Sequence, residues 1–268
     1  MPEGDTVWLA GRRLDDALAG QALTRSDFRV PQLATADLAG RRVDEVVSRG
    51  KHLLTRIDDD LTLHTHFRMD GAWHLYRPGD RWRGGPAWQV RVVLETEQWL
   101  AVGYRLPVVE LLPRDREADA VGHLGPDLLG PDWDADEAVR RLAADPAREI
   151  GQALLDQRNL AGVGTLYQAE VLFLEGRSPW TPVRDVDLAS TVERAHRLMD
   201  LNKEHPWQTT TGQRGRGRDH WVFGRTGRPC RRCGTPVASA EQGAAPYQRI
   251  TYWCPRCQPG PEPLVAQW

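Results

Sequence analysis

The sequence predicts an α+β protein of several domains, with an N-terminal helix and an antiparallel β-sandwich, then a helical domain, then a small cysteine-containing module. Three observations support this order. Apolar residues at helical spacing open the chain, short strand-like segments separated by Gly, Pro and Asp follow, and longer helical segments occupy the second half. The 268 residues are enough for two ordinary domains and a small third module. The expected division is a sandwich domain at 1–113, a linker at 114–134, a helical domain at 135–222, the cysteine module at 223–261 and a tail at 262–268.

The first helix is expected over residues 6–19, because its apolar residues recur on one helical face. Asp5 would cap its N-terminus and Gly20 would end it. This placement leaves Pro2 and Glu3 immediately ahead of a helix N-terminus.

The strands and later helices follow from the same patterns. Strands are expected at 43–47, 53–57, 61–67, 72–76, 88–95 and 99–104, which suits an antiparallel sandwich or barrel. Helices are expected near 135–145, 149–158, 165–175 and 187–203. A polar Gly/Arg-rich loop follows at 207–218.

Charge and composition restrict the class of protein. The net charge is −2, yet seven arginines fall between 214 and 232 with a single acid, Asp219, among them. Such a local patch can hold phosphates, although an ordinary solvated loop is the alternative. No segment is long and apolar enough to span a membrane, and the N-terminus lacks the features of a signal peptide, so we expect a cytoplasmic protein.

The four cysteines form two CxxC pairs, which are Cys230–Cys233 and Cys254–Cys257, with 20 residues between them. Two CxxC turns can bring four thiolates onto one tetrahedral ion, and this spacing indicates a structural Zn²⁺ site. Two disulfides or free thiols are the alternatives. Four protein ligands complete the coordination shell, so the site would be structural rather than catalytic.

The chain begins Met1-Pro2-Glu3-Gly4. Removal of Met1 would expose the secondary amine of Pro2, and an α-amine with a pKa of about 7.7–8.0 is partly unprotonated at neutral pH. Such an amine can attack a sugar C1′ atom and form an iminium, while Glu3 moves protons. An ordinary N-terminus is the alternative, since many cytosolic proteins start with Met-Pro.

Four elements in order make the chain resemble the formamidopyrimidine-DNA glycosylase/endonuclease VIII family. They are the opening Pro2-Glu3-Gly4, the segment 48–54 (SRGKHLL), the segment 160–170 (LAGVGTLYQAE) and the four-cysteine ribbon. The resemblance covers Pro2 to about Gln258, and Gly4 favours the endonuclease VIII branch. It implies a helix and β-sandwich, then a helix–two-turn–helix domain that carries a zinc ribbon.

The resemblance also implies roles for individual residues. Pro2 matches the nucleophile, Glu3 its acid/base partner and Lys51 the catalytic lysine. Five positions match DNA contacts, namely the phosphate-binding turn at Gly164 and Thr165, Arg249 on the ribbon hairpin, Met69 as an apolar wedge, and Glu170. For Glu170, orientation of the N-terminus or a purely structural role is the alternative. Thr165 stands where the family usually has Asn, and the 104–107 segment (YRLP) has no match to the Arg-Arg-Phe-like element of the formamidopyrimidine branch.

The implied activity is that of a bifunctional DNA glycosylase/AP lyase of base excision repair. It would remove oxidised bases, with pyrimidines favoured by the Pro-Glu-Gly opening, and cleave the strand by elimination. The expected partner is damaged double-stranded DNA, with single-stranded or bubble DNA left open, bound by a nucleoid-associated monomer. The competing interpretation is a non-catalytic zinc-ribbon protein that binds damaged DNA. A protein-interaction adaptor would explain none of the four elements.

Overall fold

The computed structural model describes residues 2–215 and 217–263, and it divides into two compact units, Met1–His123 and Leu124–Trp268. Met1, Arg216 and residues 264–268 of the predicted tail lie outside the described residues. Among the residues that the structure describes, no helix combines the length and apolar character needed to cross a membrane.

The first unit opens with helix α1 (Gly4–Leu18). The helix begins two residues earlier than the expected position 6, so the prediction of Asp5 as N-cap is wrong. Asp5 lies in the first turn, where its Oδ1 accepts a hydrogen bond from the Thr6 amide at 2.7 Å. Glu3 occupies the N-cap position instead. Gly20, at φ +76°, follows the helix as expected.

Eight strands in two antiparallel sheets follow α1. They are β1 (Arg25–Phe28), β2 (Val43–Arg49), β3 (His52–Ile57), β4 (Leu61–His66), β5 (Ala72–Tyr76), β6 (Val90–Glu95), β7 (Leu100–Tyr104) and β8 (Val108–Pro113). One sheet has the order β1-β6-β7-β5 and the other β2-β3-β4-β8. The larger of two buried clusters among the described residues of the first unit joins both sheets to α1, with Val7, Leu53 and Val92 fully buried in it. The expected β-sandwich is therefore present.

The segment expected to be a linker is partly ordered within the first unit. A short helix α2 (Glu117–Val121) follows β8, and the unit ends at His123. Glu117 fastens this helix to the sheet, because its carboxylate accepts hydrogen bonds from Arg56 Nε at 3.0 Å and Arg56 Nη2 at 2.9 Å. This contact could not be predicted from the sequence, because Arg56 and Glu117 are far apart along the chain.

The second unit contains helices α3 (Ala135–Ala143), α4 (Ile150–Leu155), α5 (Thr165–Glu175) and α6 (Leu188–Asn202). Residues 165–173 of α5 are all buried, as expected of a helix that other elements surround. A hairpin of β9 (Ala238–Gln242) and β10 (Arg249–Trp253) follows, with Arg249 paired to Gln242. Helices and hairpin lie where the sequence placed them.

Candidate active site and nucleic-acid interface

Pro2 and Glu3 stand at the start of α1. Pro2 is partly buried, and Glu3 is fully buried with extended backbone at φ −120° and ψ −172°. A helix N-terminus carries partial positive charge and stabilises a nearby anion. The structure thus places a buried carboxyl group directly beside the residue whose amine would become the chain terminus.

Lys51 lies on the two-residue turn of the β2–β3 hairpin, in which Arg49 pairs with His52. Gly50 takes φ +56° at the first turn position, a conformation that glycine adopts without strain. Lys51 is partly buried. The lysine is therefore presented by a tight turn, immediately before β3.

Three histidines surround this turn and were not identified from the sequence. His52 Nδ1 lies 2.8 Å from His64 Nε2, and His64 Nδ1 lies 2.9 Å from the Glu110 carboxylate. His66 meets the His52 ring edge-on at 4.7 Å between centroids. Because a carboxylate only accepts, His64 donates from Nδ1, and in the neutral ring its Nε2 accepts from His52. The alternation His64-Thr65-His66 on a strand was the available signal.

Burial keeps two of these imidazoles neutral. Desolvation is the largest cause that lowers the pKa of His52 to about 3, and the neighbouring His66, His64, His123 and Lys51 lower it further. Burial, with Lys51 nearby, likewise lowers the pKa of His66 to about 4. At neutral pH these two rings add hydrogen-bonding groups beside Lys51 but no charge.

Met69 stands on the turn between β4 and β5, and its side chain is 62% exposed. The preceding Arg68 has φ +46°, and the turn is closed by the hydrogen bond from Gly71 N to Phe67 O at 2.9 Å. A large apolar side chain at the tip of a closed turn suits insertion into an apolar gap.

The glycine-rich turn of the second unit leads directly into α5. Gly162 has φ +108°, which glycine alone adopts readily, and Gly164 is the N-cap residue of α5. Thr165 is the first helical residue and is 7% exposed. Backbone amides at such a helix start can approach an anion closely.

Glu170 takes a different place from the DNA contact that the sequence suggested. It is fully buried in α5, and its carboxylate accepts hydrogen bonds from the amides of Trp221, Val222 and Phe223, each at 2.8 Å. The Thr210 hydroxyl donates to the same carboxylate. The side chain is therefore occupied inside its own unit, where it holds residues 221–223, and the geometry does not support a contact with DNA.

Several arginines of the 214–232 segment are likewise occupied within the second unit. Arg225 donates to the carbonyl oxygens of Trp221 and Pro229, at 2.5 and 2.9 Å, and Arg231 donates to that of His220 at 3.0 Å. Arg214 and Arg232 stack over aromatic rings. Part of the basic segment thus stabilises its own loop through internal contacts. Its density of arginines therefore overestimates the number of side chains that can bind phosphates.

Arg249 opens β10 at the end of the ribbon hairpin and is exposed. Tyr247 and Ile250 beside it are 77% and 51% exposed. The hairpin end thus carries a cation between two large exposed side chains.

The four cysteines Cys230, Cys233, Cys254 and Cys257 converge in the second unit. Their sulfur atoms all lie within 4.8 Å of one another, with Cys233 and Cys254 at 3.4 Å and Cys230 and Cys257 at 3.9 Å. Ligands at about 2.3 Å from a tetrahedral ion lie about 3.8 Å apart, whereas a disulfide needs about 2.05 Å. The four cysteines can therefore hold one metal ion, and they form no disulfide.

The chain matches known families over most of its length. Residues 1–105 match the formamidopyrimidine-DNA glycosylase N-terminal domain, and residues 124–202 match the formamidopyrimidine-DNA glycosylase H2TH domain. The chain is 58% identical to a probable endonuclease 8 2 of Streptomyces coelicolor, over 98% of this chain and 96% of that protein. The chain belongs to the formamidopyrimidine-DNA glycosylase/endonuclease VIII family.

Other relatives extend this family assignment. The chain is 48% identical to the DNA-(apurinic or apyrimidinic site) lyase Nei2 of Mycolicibacterium smegmatis, over 96% of this chain and 99% of that protein. A Lactococcus lactis Fpg structure with abasic-site DNA matches with a TM-score of 0.79 and 22% identity, covering 96% of this chain and all of that one. The resemblance drawn from four sequence elements is thus confirmed, and so is the fold class.

Within this family member, the two units carry different groups of the predicted residues. Pro2, Glu3, Lys51 and Met69 belong to the first unit. The second unit holds the glycine-rich turn, Arg249 and the cysteines. Sequence motifs identified both groups, whereas the histidines beside Lys51 became evident only from strand register.

Proposed function

We infer that this protein is a DNA glycosylase and AP lyase of base excision repair, and that the Pro2 amine is its nucleophile. The observation that carries the inference is the buried Glu3 carboxyl group beside Pro2, in a chain of the endonuclease VIII branch. Family membership supplies the reaction class. The position of the buried Glu3 next to Pro2 supports their assignment as acid/base group and nucleophile.

The proposed chemistry proceeds at the sugar of the damaged nucleotide. The Pro2 nitrogen lone pair bonds to C1′ as the glycosidic bond breaks. The base leaves with the electrons of the glycosidic bond and takes up the proton that the Pro2 nitrogen gives up. Glu3 protonates the ring oxygen, so the sugar opens to an iminium. Loss of a C2′ proton then expels the 3′ phosphate, and a second elimination expels the 5′ phosphate. Water finally releases Pro2.

Residues of both units would hold the damaged DNA. Lys51, which the hairpin turn presents, binds a phosphate near the lesion, and the amides at Gly164 and Thr165 bind another at the start of α5. Arg249 adds a contact from the ribbon. Met69 fills the space left when the damaged base is displaced, a step that costs roughly a few kcal/mol.

We propose that the four cysteines bind Zn²⁺. Bound zinc would cross-link the two CxxC turns and so fix the hairpin that presents Arg249. Burial raises the pKa of the Cys254 thiol to about 11, whereas hydrogen bonding to Thr235 lowers that of Cys233 to about 6. A bound divalent ion would hold both as thiolates. Sulfur ligands of this number and spacing favour zinc over the hard cations Mg²⁺ and Ca²⁺.

The proposed substrates are oxidised bases in double-stranded DNA, and oxidised pyrimidines above all. The Pro2-Glu3-Gly4 opening, which resembles the endonuclease VIII branch, supports this choice. A cleavage panel of duplexes that each contain one defined oxidised base tests it. Cleavage of oxidised purines in preference to oxidised pyrimidines would refute the pyrimidine assignment.

Borohydride trapping tests the nucleophile. The wild-type protein with a C-terminal tag, whose mature N-terminus mass spectrometry shows to be Pro2, should form a covalent complex with abasic-site DNA on reduction. The same protein with an N-terminal extension, which blocks the amine, should bind the DNA without being trapped. Equal trapping of both proteins would exclude Pro2. Binding without trapping or cleavage by either would favour the non-catalytic alternative.

A further inference from the structure

Several hydrogen bonds fix the backbone of the exposed turn that carries Met69. Arg68 N donates to His66 Nδ1 at 2.9 Å, and Gly71 N closes the turn onto the carbonyl of Phe67. A Cβ atom added to Gly71 would lie 2.7 Å from that carbonyl oxygen, so the closure is tight. The backbone on either side of Met69 is therefore fixed, while its side chain remains exposed.

Arg105 supplies a third attachment from the end of β7. Its Nε donates to Asp70 O at 3.0 Å, and its Nη1 donates to Gly84 O at 3.3 Å and to Gln89 Oε1 at 2.5 Å. The guanidinium thereby joins the Met69 turn to the loop that precedes β6. A planar fork with several donors can serve acceptors on two loops at once, which an ammonium group cannot do as well.

The backbone of Arg105 is itself unfavourable. Its φ is +49°, in the left-handed region that residues with a Cβ seldom adopt. Such a conformation persists where surrounding contacts over-determine it, and it concentrates at functional sites. Here the backbone amide of Arg105 also donates to Gln89 O at 2.8 Å. The strained conformation directs the guanidinium toward the two loops it connects.

We infer that Arg105 is a positioning residue, which holds Met69 ready for insertion and thereby sets the preference for lesions in paired DNA. The inference rests on the proposed function of Met69 as the wedge. A fixed wedge matters when a base must leave a stacked, paired duplex. It matters much less on single-stranded DNA, where little pairing or stacking is lost.

The test compares Arg105→Ala with the wild type on the same oxidised base in duplex and in single-stranded DNA. We expect kcat/KM on duplex to fall on the order of 10- to 100-fold, the effect of misplacing a positioned group, with single-strand cleavage unchanged. Arg105→Lys should retain part of the duplex activity. Arg77→Ala is the matched control, because Arg77 also donates to a backbone carbonyl, and the contacts described for its side chain are with Gln98 and Trp99.

A double-mutant comparison separates positioning from general stability. If Arg105 acts through Met69, adding Arg105→Ala to Met69→Ala should cause no further loss on duplex DNA. Additive losses, equal losses on both DNA forms, or no loss would each overturn the inference. A wild type inactive on every lesion would instead overturn the proposed function.

If the wild type cleaves duplex DNA but not single-stranded DNA, a fluorescence measurement tests whether Arg105 positions Met69. A 2-aminopurine placed opposite an abasic site brightens when the wedge unstacks it. The wild type and Arg77→Ala should brighten it on binding, and Arg105→Ala should not at equal occupancy. Equal brightening by all three proteins would overturn the inference.

Discussion

Replacement of Glu170 by Ala tests whether one buried carboxylate holds the loop that precedes the ribbon. The change removes the acceptor for the amides of Trp221, Val222 and Phe223 and for the Thr210 hydroxyl. Val222 is fully buried, so its amide cannot recover a water molecule. The flanking residues Trp221 and Phe223 are partly exposed, and their amides can partly rehydrate.

The expected loss of stability follows from these contacts. A buried donor without an acceptor costs about 1–3 kcal/mol, so the three amides together should lower the free energy of unfolding by about 3–5 kcal/mol. For a protein of this size, that change corresponds to a fall of roughly 10 °C in the melting temperature. Glu170→Gln keeps one carbonyl oxygen and should lose about half as much.

Two measurements check the prediction. Thermal unfolding followed by circular dichroism gives the overall loss, and hydrogen exchange read by mass spectrometry reports on amides 221–223. Asp200→Ala serves as control, because it breaks an ion pair with Lys203 in which Asp200 is 49% exposed and which is worth less than about 1 kcal/mol. If Glu170→Ala leaves both the melting temperature and the hydrogen exchange at 221–223 unchanged, Glu170 does not stabilise this loop.

Three further predictions concern pH, metal and salt. The pKa values of His52 and His66, about 3 and 4, lie below the value of 6.5 in the unfolded chain, so protons bind the unfolded state more readily. The free energy of unfolding should therefore fall as pH drops from 6.5 toward 4, with a loss of about 2 kcal/mol for each ring at pH 5. Urea titrations at several pH values measure this dependence, and His66→Gln should make the free energy of unfolding depend less on pH. Removal of zinc by a chelator, or Cys254→Ser, should abolish DNA binding in a gel-shift assay, and full binding by protein shown to lack metal would contradict the zinc proposal. Affinity for DNA should fall steeply with salt, and Arg249→Ala should reduce the slope of log K against log salt by about 1; an unchanged slope would remove Arg249 from the phosphate contacts.

The sequence identified those residues whose signal lies within a short stretch of the chain. The CxxC pairs need only short turns to bring their sulfur atoms together, and Pro2 and Glu3 are neighbours whatever the fold does. Strands β1 and β8 were missed because they lack the alternation of a strand with one buried face. The burial of β1 runs exposed, partly buried, partly buried, buried.

The sequence by itself thus determined the family, the order of the units, the four cysteines that can hold a metal ion, and the adjacency of Pro2 and Glu3. Only the tertiary structure decided that Glu170 accepts hydrogen bonds from buried backbone amides, that Arg105 attaches the Met69 turn, and that His64 connects Glu110 to His52. These roles depend on strand register and on contacts between residues 12 or more positions apart, and His64 and Glu110 are 46 positions apart. A sequence pattern reports which residue types are present nearby along the chain. Packing decides which groups surround a buried charge. A buried charge must form hydrogen bonds with those groups, because it cannot reach water.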